Sequence, residues 1–349
     1  MGVPYFLKYI YGNYKKCILK TIPDIEYIFI DCNCILHEVT TNLSYNMNLD
    51  KKEIFDGVVE RIKFYKNRFT FKYCVICIDG IPPLSKYECQ KKRRKESNDV
   101  YSMLLTPGTN LMKTIDDVIT KAFTDDIIVP SSIVGEGELK IVKFIRNLKI
   151  ESYCILTLDS DLIILSLITT TLYDHTKAFV YYMSKESSVD ILLVKEEMCF
   201  KGIFNSLFEF VILCGNDYIP NHIQTNNLKT IEYIIMRNIR KDNFEFDLDY
   251  FINLLLKYKK KEVNCNCSKE LVKYYFRLIK WFTLYYISNE NYQGINFNLN
   301  IPCSDCISKY KEEYNTIELE IITDISLISY IKFILPEYYH KDIENDNST

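Results

Sequence analysis

The stretch SYCILTLDSDLIIL, residues 152–165, carries the reading of the fold. Its first seven residues are almost wholly aromatic, β-branched or aliphatic, the composition of a short strand covered on both faces. Asp159 and Asp161 follow at once, at the carboxyl end of that strand. Two earlier runs have the same form: EYIFID (26–31), closing on Asp31, and YCVICID (73–79), closing on Asp79. Between the runs lie segments with apolar residues at helical spacing, over 53–69, 108–123 and 138–148. Strand alternating with helix predicts an α/β fold with a mostly parallel, doubly wound sheet. After about residue 225, KTIEYIIMRNIR, LDYFINLLLKY and LVKYYFRLIKWFTLYYI predict helices. The expected organisation is an α/β domain over 1–225, a mainly helical region over 226–340 and a polar tail over 341–349.

In open α/β sheets, functional groups gather beyond the carboxyl ends of the strands. That rule groups Asp31, Asp79, Asp159 and Asp161. The segment SSIVGEGELKIVKFI (131–145) adds Glu136 and Glu138 at the start of a helix, and CGNDYIP adds Asp217. Taken singly, each acid has an ordinary role as an N-cap, a turn residue or a partner of the helix dipole. Seven carboxylates at one sheet edge would repel one another and raise each other's pKa values. Hard divalent cations, Mg²⁺ or Mn²⁺, are the natural counter-charge for oxygen ligands. Two such ions roughly 3.5–4 Å apart clamp the attacking and leaving oxygens of a phosphodiester. These seven acids are therefore the candidate catalytic and metal-ligating residues.

The segment KYECQKKRRK (86–95) supplies the opposite charge directly after Asp79 and the turn GIPP. A charge run of this kind is ordinarily a solvated helix face. Lys86, Gln90, Arg93 and Arg94, however, share one face at helical spacing, and three cations with an amide donor suit a phosphate group. His37, in DCNCILHEV, reads either as a stacking partner for a base or as a satisfied core histidine.

Composition bounds the rest. Hydrophobic residues are 48% and charged residues 26% of the chain, enough for a sizeable core, and the net charge of −3 argues against a uniformly basic surface. The 13 cysteines are scattered through apolar runs, which fits buried, reduced thiols. No secretory signal and no stretch of transmembrane length is evident. The expectation is a soluble cytoplasmic protein, with the nucleus left open. Late in the chain, Cys265 and Cys267 (CNC) and Cys303 and Cys306 (CSDC) match a Cys₄ zinc site, with reduced free thiols as the default alternative.

These pieces in this order resemble the conserved nuclease region of the XRN family of 5′→3′ exoribonucleases. The resemblance rests on MGVPYFLKYI, IDCNCILHEV, CIDGIPPLSKYECQKKRRK, LTPGTNLM, SSIVGEGELKIVKFIR, LTLDSDLIILSL and LCGNDYIP, from residue 1 to about 220, with a weaker likeness in RLIKWFTLYYISN (277–289). It implies a metal-dependent enzyme releasing nucleotides one at a time from single-stranded RNA with a 5′-monophosphate. It places two Mg²⁺ or Mn²⁺ ions on the seven acids and the 5′-phosphate on Lys86, Gln90, Arg93 and Arg94. The first base would stack between His37 and Trp281, the only tryptophan, for which a buried helix position is the competing role. Cys34 stands where the family usually has glycine. The chain, shorter than the family's cellular members, looks like a viral or minimal version; the expectation is a monomer, with protein partners undetermined. A flap endonuclease-like DNA enzyme and a catalytically inactive RNA-binding scaffold are the alternatives.

Overall fold

The computed structural model describes residues 3–43, 51–96, 103–216, 218–219, 228–239, 244–258, 267–288, 301–319 and 327–335. At its centre is a seven-stranded sheet. The strands are β1 (Ile18–Leu19), β2 (Tyr27–Asp31), β3 (Tyr73–Cys77), β4 (Ile127–Val129), β5 (Ser152–Thr157), β6 (Lys177–Tyr182) and β7 (Ser187–Asp190). Their order is β1-β7-β6-β5-β2-β3-β4. The five from β6 to β4 run parallel, and β7 and β1 add an antiparallel edge. The three strands expected from the sequence, β2, β3 and β5, are neighbours at the centre. Being covered on both faces, they carry the continuous apolar composition that makes a strand legible. The others are shorter or lie nearer an edge.

Alternation along each strand divides the core in two. Ile28, Ile30, Cys74, Ile76, Cys154 and Leu156 face helices α2 (Cys32–Leu43), α3 (Lys51–Lys66) and α5 (Asn110–Ala122). Phe29, Val75, Cys77, Tyr153 and Ile155 face the other way. There they meet α1 (Phe6–Asn13), α6 (Gly137–Leu148), α7 (Asp161–Leu172), α8 (Ile191–Phe200) and α9 (Leu207–Cys214). The later helices, α10 (Leu228–Met236), α11 (Leu248–Tyr258), α12 (Lys269–Ile287) and α13 (Ser304–Lys309), pack into this same second core. Helix α14 (Leu327–Ile334) instead returns to the basic helix α4 (Tyr87–Glu96), where Tyr330 and Tyr87 rings meet at 5.0 Å. No helix among the described residues is long and apolar enough to cross a membrane.

The order of the strands positions the site. From β2 the chain winds outward through β3 and β4, then returns to β5 on the other side of β2 and continues to β6. The direction of winding therefore reverses between β2 and β5. In a doubly wound sheet such a reversal opens a crevice beyond the strand ends. Asp31 ends β2 and Asp159 follows β5, one on each side of the reversal.

Candidate active site

A cavity of about 1040 Å³ opens at this reversal, lined by Asp31, Asp79, Glu136, Glu138 and Asp159 and by Lys86, Gln90, Arg93, Arg94 and His37. Both halves of the sequence-derived set thus share one space. Asp161 lies behind it, 2% exposed, its Oδ1 accepting the Val3 backbone N–H at 3.0 Å. Asp217 lies outside the described residues.

The acids are held by neighbours on short connections. Asp31 Oδ2 accepts from Thr157 Oγ1 at 2.8 Å and from Cys34 Sγ at 2.9 Å. Cys34 Sγ in turn accepts the Leu158 N–H at 3.2 Å, so this side chain ties the end of β5 to Asp31. Asp79 stands two residues beyond its strand. Its two oxygens accept from Asn33 Nδ2 and from the Gly137 N–H, each at 2.6 Å. Asp159 Oδ1 accepts the Asp161 N–H at 2.9 Å.

Two glycines set how closely these pieces approach. A Cβ at Gly137 would lie 3.0 Å from Asp79 Oδ1 and 3.4 Å from Asp31 Oδ1, so a side chain here would crowd both carboxylates. A Cβ at Gly80 would lie 1.8 Å from the Ile133 carbonyl, so only glycine lets the 131–135 loop seat against β3's exit. That seating carries Glu136 and Glu138 to the cavity at the start of α6.

The glutamate pair is not spent on capping. Glu136 occupies the N-cap position without a side-chain cap bond. Its Oε1 accepts from Lys86 Nζ at 2.6 Å, and its Oε2 from Tyr218 OH at 2.8 Å and Tyr285 OH at 3.3 Å. Glu138 lies 3.9 Å from the same ammonium. Among the described residues, no three of the carboxylates bring oxygens within 4.8 Å of one another. Lys86 stands between the acid group and the basic helix.

Electrostatics follow from burial. Burial first, then Glu136 and Asp31, push Asp79 up to about 7. Burial also raises Asp31, against the hydrogen bonds from Cys34 and Thr157, and raises Glu138 well above the carboxylate range. Asp31, Asp79 and Glu138, hard oxygen donors penalised for being charged, fit a divalent cation, which would reverse that penalty. His37 moves the other way, down to about 4, through burial and then the charges of Arg94 and Arg93.

The residues of the basic face are partly pre-oriented. Arg94 donates through Nε to Thr106 Oγ1 and through Nη2 to the Leu105 carbonyl, both at 3.1 Å. Gln90 Oε1 accepts from Tyr330 OH at 2.6 Å. Lys86 sits in a 3₁₀ turn (Leu84–Lys86) just before α4, yet stays in line with the other three on the cavity wall.

Trp281 does not reach the cavity. It is 0% exposed, stacked on Tyr285 at 4.7 Å and edge-on to Tyr218 at 5.4 Å, one layer behind Glu136. Helix α12 turns its apolar face, and with it the indole, into the core. Sequence reasoning passed over Tyr5, which is 57% exposed on the cavity rim. It also passed over the supports Asn33, Thr157, Tyr218 and Tyr285. Asn33 had a local signal, two residues after Asp31. Tyr285 had none, because it arrives from a distant helix, and Tyr218 stood unremarked beside Asp217 in CGNDYIP.

Residues 1–103 and 95–175 match the family described as XRN 5′-3′ exonuclease N-terminus. The chain belongs to the XRN 5′-3′ exonuclease family. This XRN chain is 24% identical over 295 residues to 5′-3′ exoribonuclease 1 of Saccharomyces cerevisiae, covering 63% of this chain and 19% of that protein. It is 26% identical over 247 residues to 5′-3′ exoribonuclease 2 of Eremothecium gossypii, covering 48% of this chain and 26% of that protein. The aligned region thus spans 19% and 26% of these two relatives. In fold, it is similar to the catalytic core of Rad2 in complex with DNA substrate, with a TM-score of 0.52 and 13% identity over 90% of this chain and 96% of that one. The expected mostly parallel α/β sheet is the fold observed.

Proposed function

We propose that this chain is a metal-dependent 5′→3′ exoribonuclease that hydrolyses single-stranded RNA bearing a 5′-monophosphate to mononucleotides. The observation that carries the reading is the single cavity lined on one side by buried carboxylates and on the other by Lys86, Gln90, Arg93 and Arg94. An enzyme that removes one nucleotide at a time needs the terminal phosphate held at a set distance from the reacting bond. A phosphate face and an acid group facing one cavity supply that spacing.

Asp31, Asp79, Glu136, Glu138, Asp159 and Asp161 would hold divalent cations, Mg²⁺ or Mn²⁺, with Asp217 as a sequence-based addition. Such cations supply an activated water and charge stabilisation at the phosphoryl oxygens. The chain's own residues do the positioning. Asn33 and the Gly137 N–H aim Asp79, while Thr157 and Cys34 aim Asp31. Arg94, anchored by Thr106 and the Leu105 carbonyl, presents its remaining guanidinium edge with little entropy left to lose. Arg93 and Gln90 add donors for a terminal phosphate, and Lys86 links that phosphate to the acids. His37, neutral at physiological pH, offers an uncharged ring for the first base, and Tyr5 offers a second from the rim. A capped or triphosphorylated end would bring more bulk and charge than this four-residue face can pair.

One assay tests the reading. The chain is offered 5′-monophosphate, 5′-triphosphate and 5′-hydroxyl RNAs and a branched DNA flap, with and without Mg²⁺. Mononucleotide release from the monophosphate RNA alone, dependent on divalent ion, is expected. Preference for the flap would assign a structure-specific DNA nuclease instead. Tight RNA binding without turnover in Mg²⁺ would assign a scaffold.

A further inference from the structure

Far along the chain from the acids, three sulfurs converge. The Sγ atoms of Cys267, Cys303 and Cys306 all lie within 4.8 Å of one another. None of the three is in a disulfide, and Cys303 and Cys306 are each 8% exposed. Cys267 and Cys303 are 36 residues apart, so tertiary packing brings them together.

Backbone N–H groups face two of the three sulfurs. Cys267 Sγ accepts the Cys303 N–H at 3.3 Å. Cys303 is the N-cap of α13, its Sγ accepting the Cys306 N–H at 3.4 Å. The Cys303–Cys306 pair is thus a C-x₂-C turn whose own backbone N–H faces sulfur, an arrangement suited to a metal-bound thiolate. Tetrahedral zinc holds thiolates at about 2.3 Å, which sets sulfurs within 4 Å or so of each other. The observed grouping needs only a small contraction to meet that. Soft thiolates also select zinc over the hard cations suited to the carboxylate cavity.

We propose that Cys267, Cys303 and Cys306 bind a structural Zn²⁺ ion; Cys265, the fourth cysteine of the sequence-based set, lies outside the described residues. The ion joins the start of α12 to α13. Ser268, directly after Cys267, caps α12 by accepting the Leu271 N–H at 3.2 Å, and Lys269 reaches Glu313 at 2.6 Å. The far part of α12 carries Tyr285, which donates to Glu136. The zinc would therefore brace the helix that backs one wall of the cavity. The inference stands on the cysteine geometry and does not require the nuclease reading.

The test is metal analysis of the full chain purified without chelator. One zinc per chain is expected, with a thiolate-to-metal charge-transfer band on replacement by Co²⁺. A mercurial that titrates thiols should release the zinc in step with thiol modification. The double variant Cys303→Ser/Cys306→Ser should bind none. If that variant fails to fold, the Co²⁺ spectrum and the mercurial release on the unaltered chain decide alone. No zinc in the purified chain, zinc retained by a folded double variant, a Co²⁺ spectrum without thiolate bands, or a Cys303–Cys306 disulfide by mass would each overturn the proposal.

Discussion

Lys86 Nζ lies 2.6 Å from Glu136 Oε1, and both side chains are more than nine-tenths buried. A buried ammonium against a buried carboxylate is costly to separate, because each would be left uncompensated. The same lysine belongs to the basic face and touches the acid group, so it couples the two halves of the cavity.

From this pairing, Lys86→Met is expected to destabilise the metal-free protein by about 3–5 kcal/mol. Saturating Mg²⁺ or Mn²⁺ should recover most of that loss by neutralising Glu136 and Glu138. Urea unfolding of both proteins, with divalent ion and with chelator, checks it. An equal loss in both conditions would mean that no cation shares the lysine's role. In the unaltered chain, a divalent ion at about 100 times its Kd should add roughly 2.7 kcal/mol.

Asp159→Ala should abolish hydrolysis while leaving the circular dichroism spectrum and melting temperature nearly unchanged. Asn33→Ala, which removes only the amide aiming Asp79, should slow turnover by about 10- to 100-fold. Single-turnover rates on 5′-monophosphate RNA separate the two. Full activity in Asp159→Ala would rule out the acid group as the catalytic centre.

Arg93→Ala and Arg94→Lys should erode the preference for a 5′-monophosphate over a 5′-hydroxyl by about 10- to 100-fold, the worth of a hydrogen bond to a charged group. Lysine cannot replace Arg94, because it cannot bond Thr106 and the Leu105 carbonyl while still facing the cavity. Competition kinetics between the two RNAs measure the effect. An unchanged ratio would move the phosphate site elsewhere.

His37 should titrate near pH 4, which imidazole NMR can follow. The sign of its linkage follows. The ordinary histidine value in the unfolded chain is about 6.5, so the unfolded state binds more protons between pH 6.5 and 4. The stability contributed by neutral His37 is therefore complete above pH 6.5 and lost as pH falls towards 4. Arg93→Ala should raise the titration point, and a midpoint at or above 6.5 in the unaltered chain would contradict the buried, cation-flanked setting.

Trp281→Ala should cost about 3–5 kcal/mol of stability, as truncating a buried indole does. Trp281→Phe should leave KM for RNA near its original value, whereas His37→Ala and Tyr5→Ala should raise KM. Melting curves and steady-state kinetics test this together. A large KM effect from Trp281→Phe with no stability loss would return the indole to the RNA.

Much of this protein is written locally. The central strands could be read because burial on both faces forces unbroken apolar runs. Their carboxyl ends could be read because acids stop those runs, and the GEGE and KYECQKKRRK segments because charge at short spacing is itself the signal. The short strands β1, β4 and β7 were silent, being two to four residues long. So was the identity of the acids' supports, except Asn33. A hydrogen bond from Tyr218 or Tyr285 to Glu136 depends on how segments far apart in the chain pack together.

The sequence by itself determined the α/β class, the acid group at the strand ends, the basic face beside it and the family to which they point, since each is a pattern of neighbours along the chain. Only the tertiary structure decided that Trp281 packs behind Glu136 instead of facing the cavity, that Lys86 bridges cations and acids, and that Cys267 meets Cys303 and Cys306. Those relations join residues tens to hundreds of positions apart, and the packing of apolar helix faces against the sheet sets them, which no short window of residues encodes.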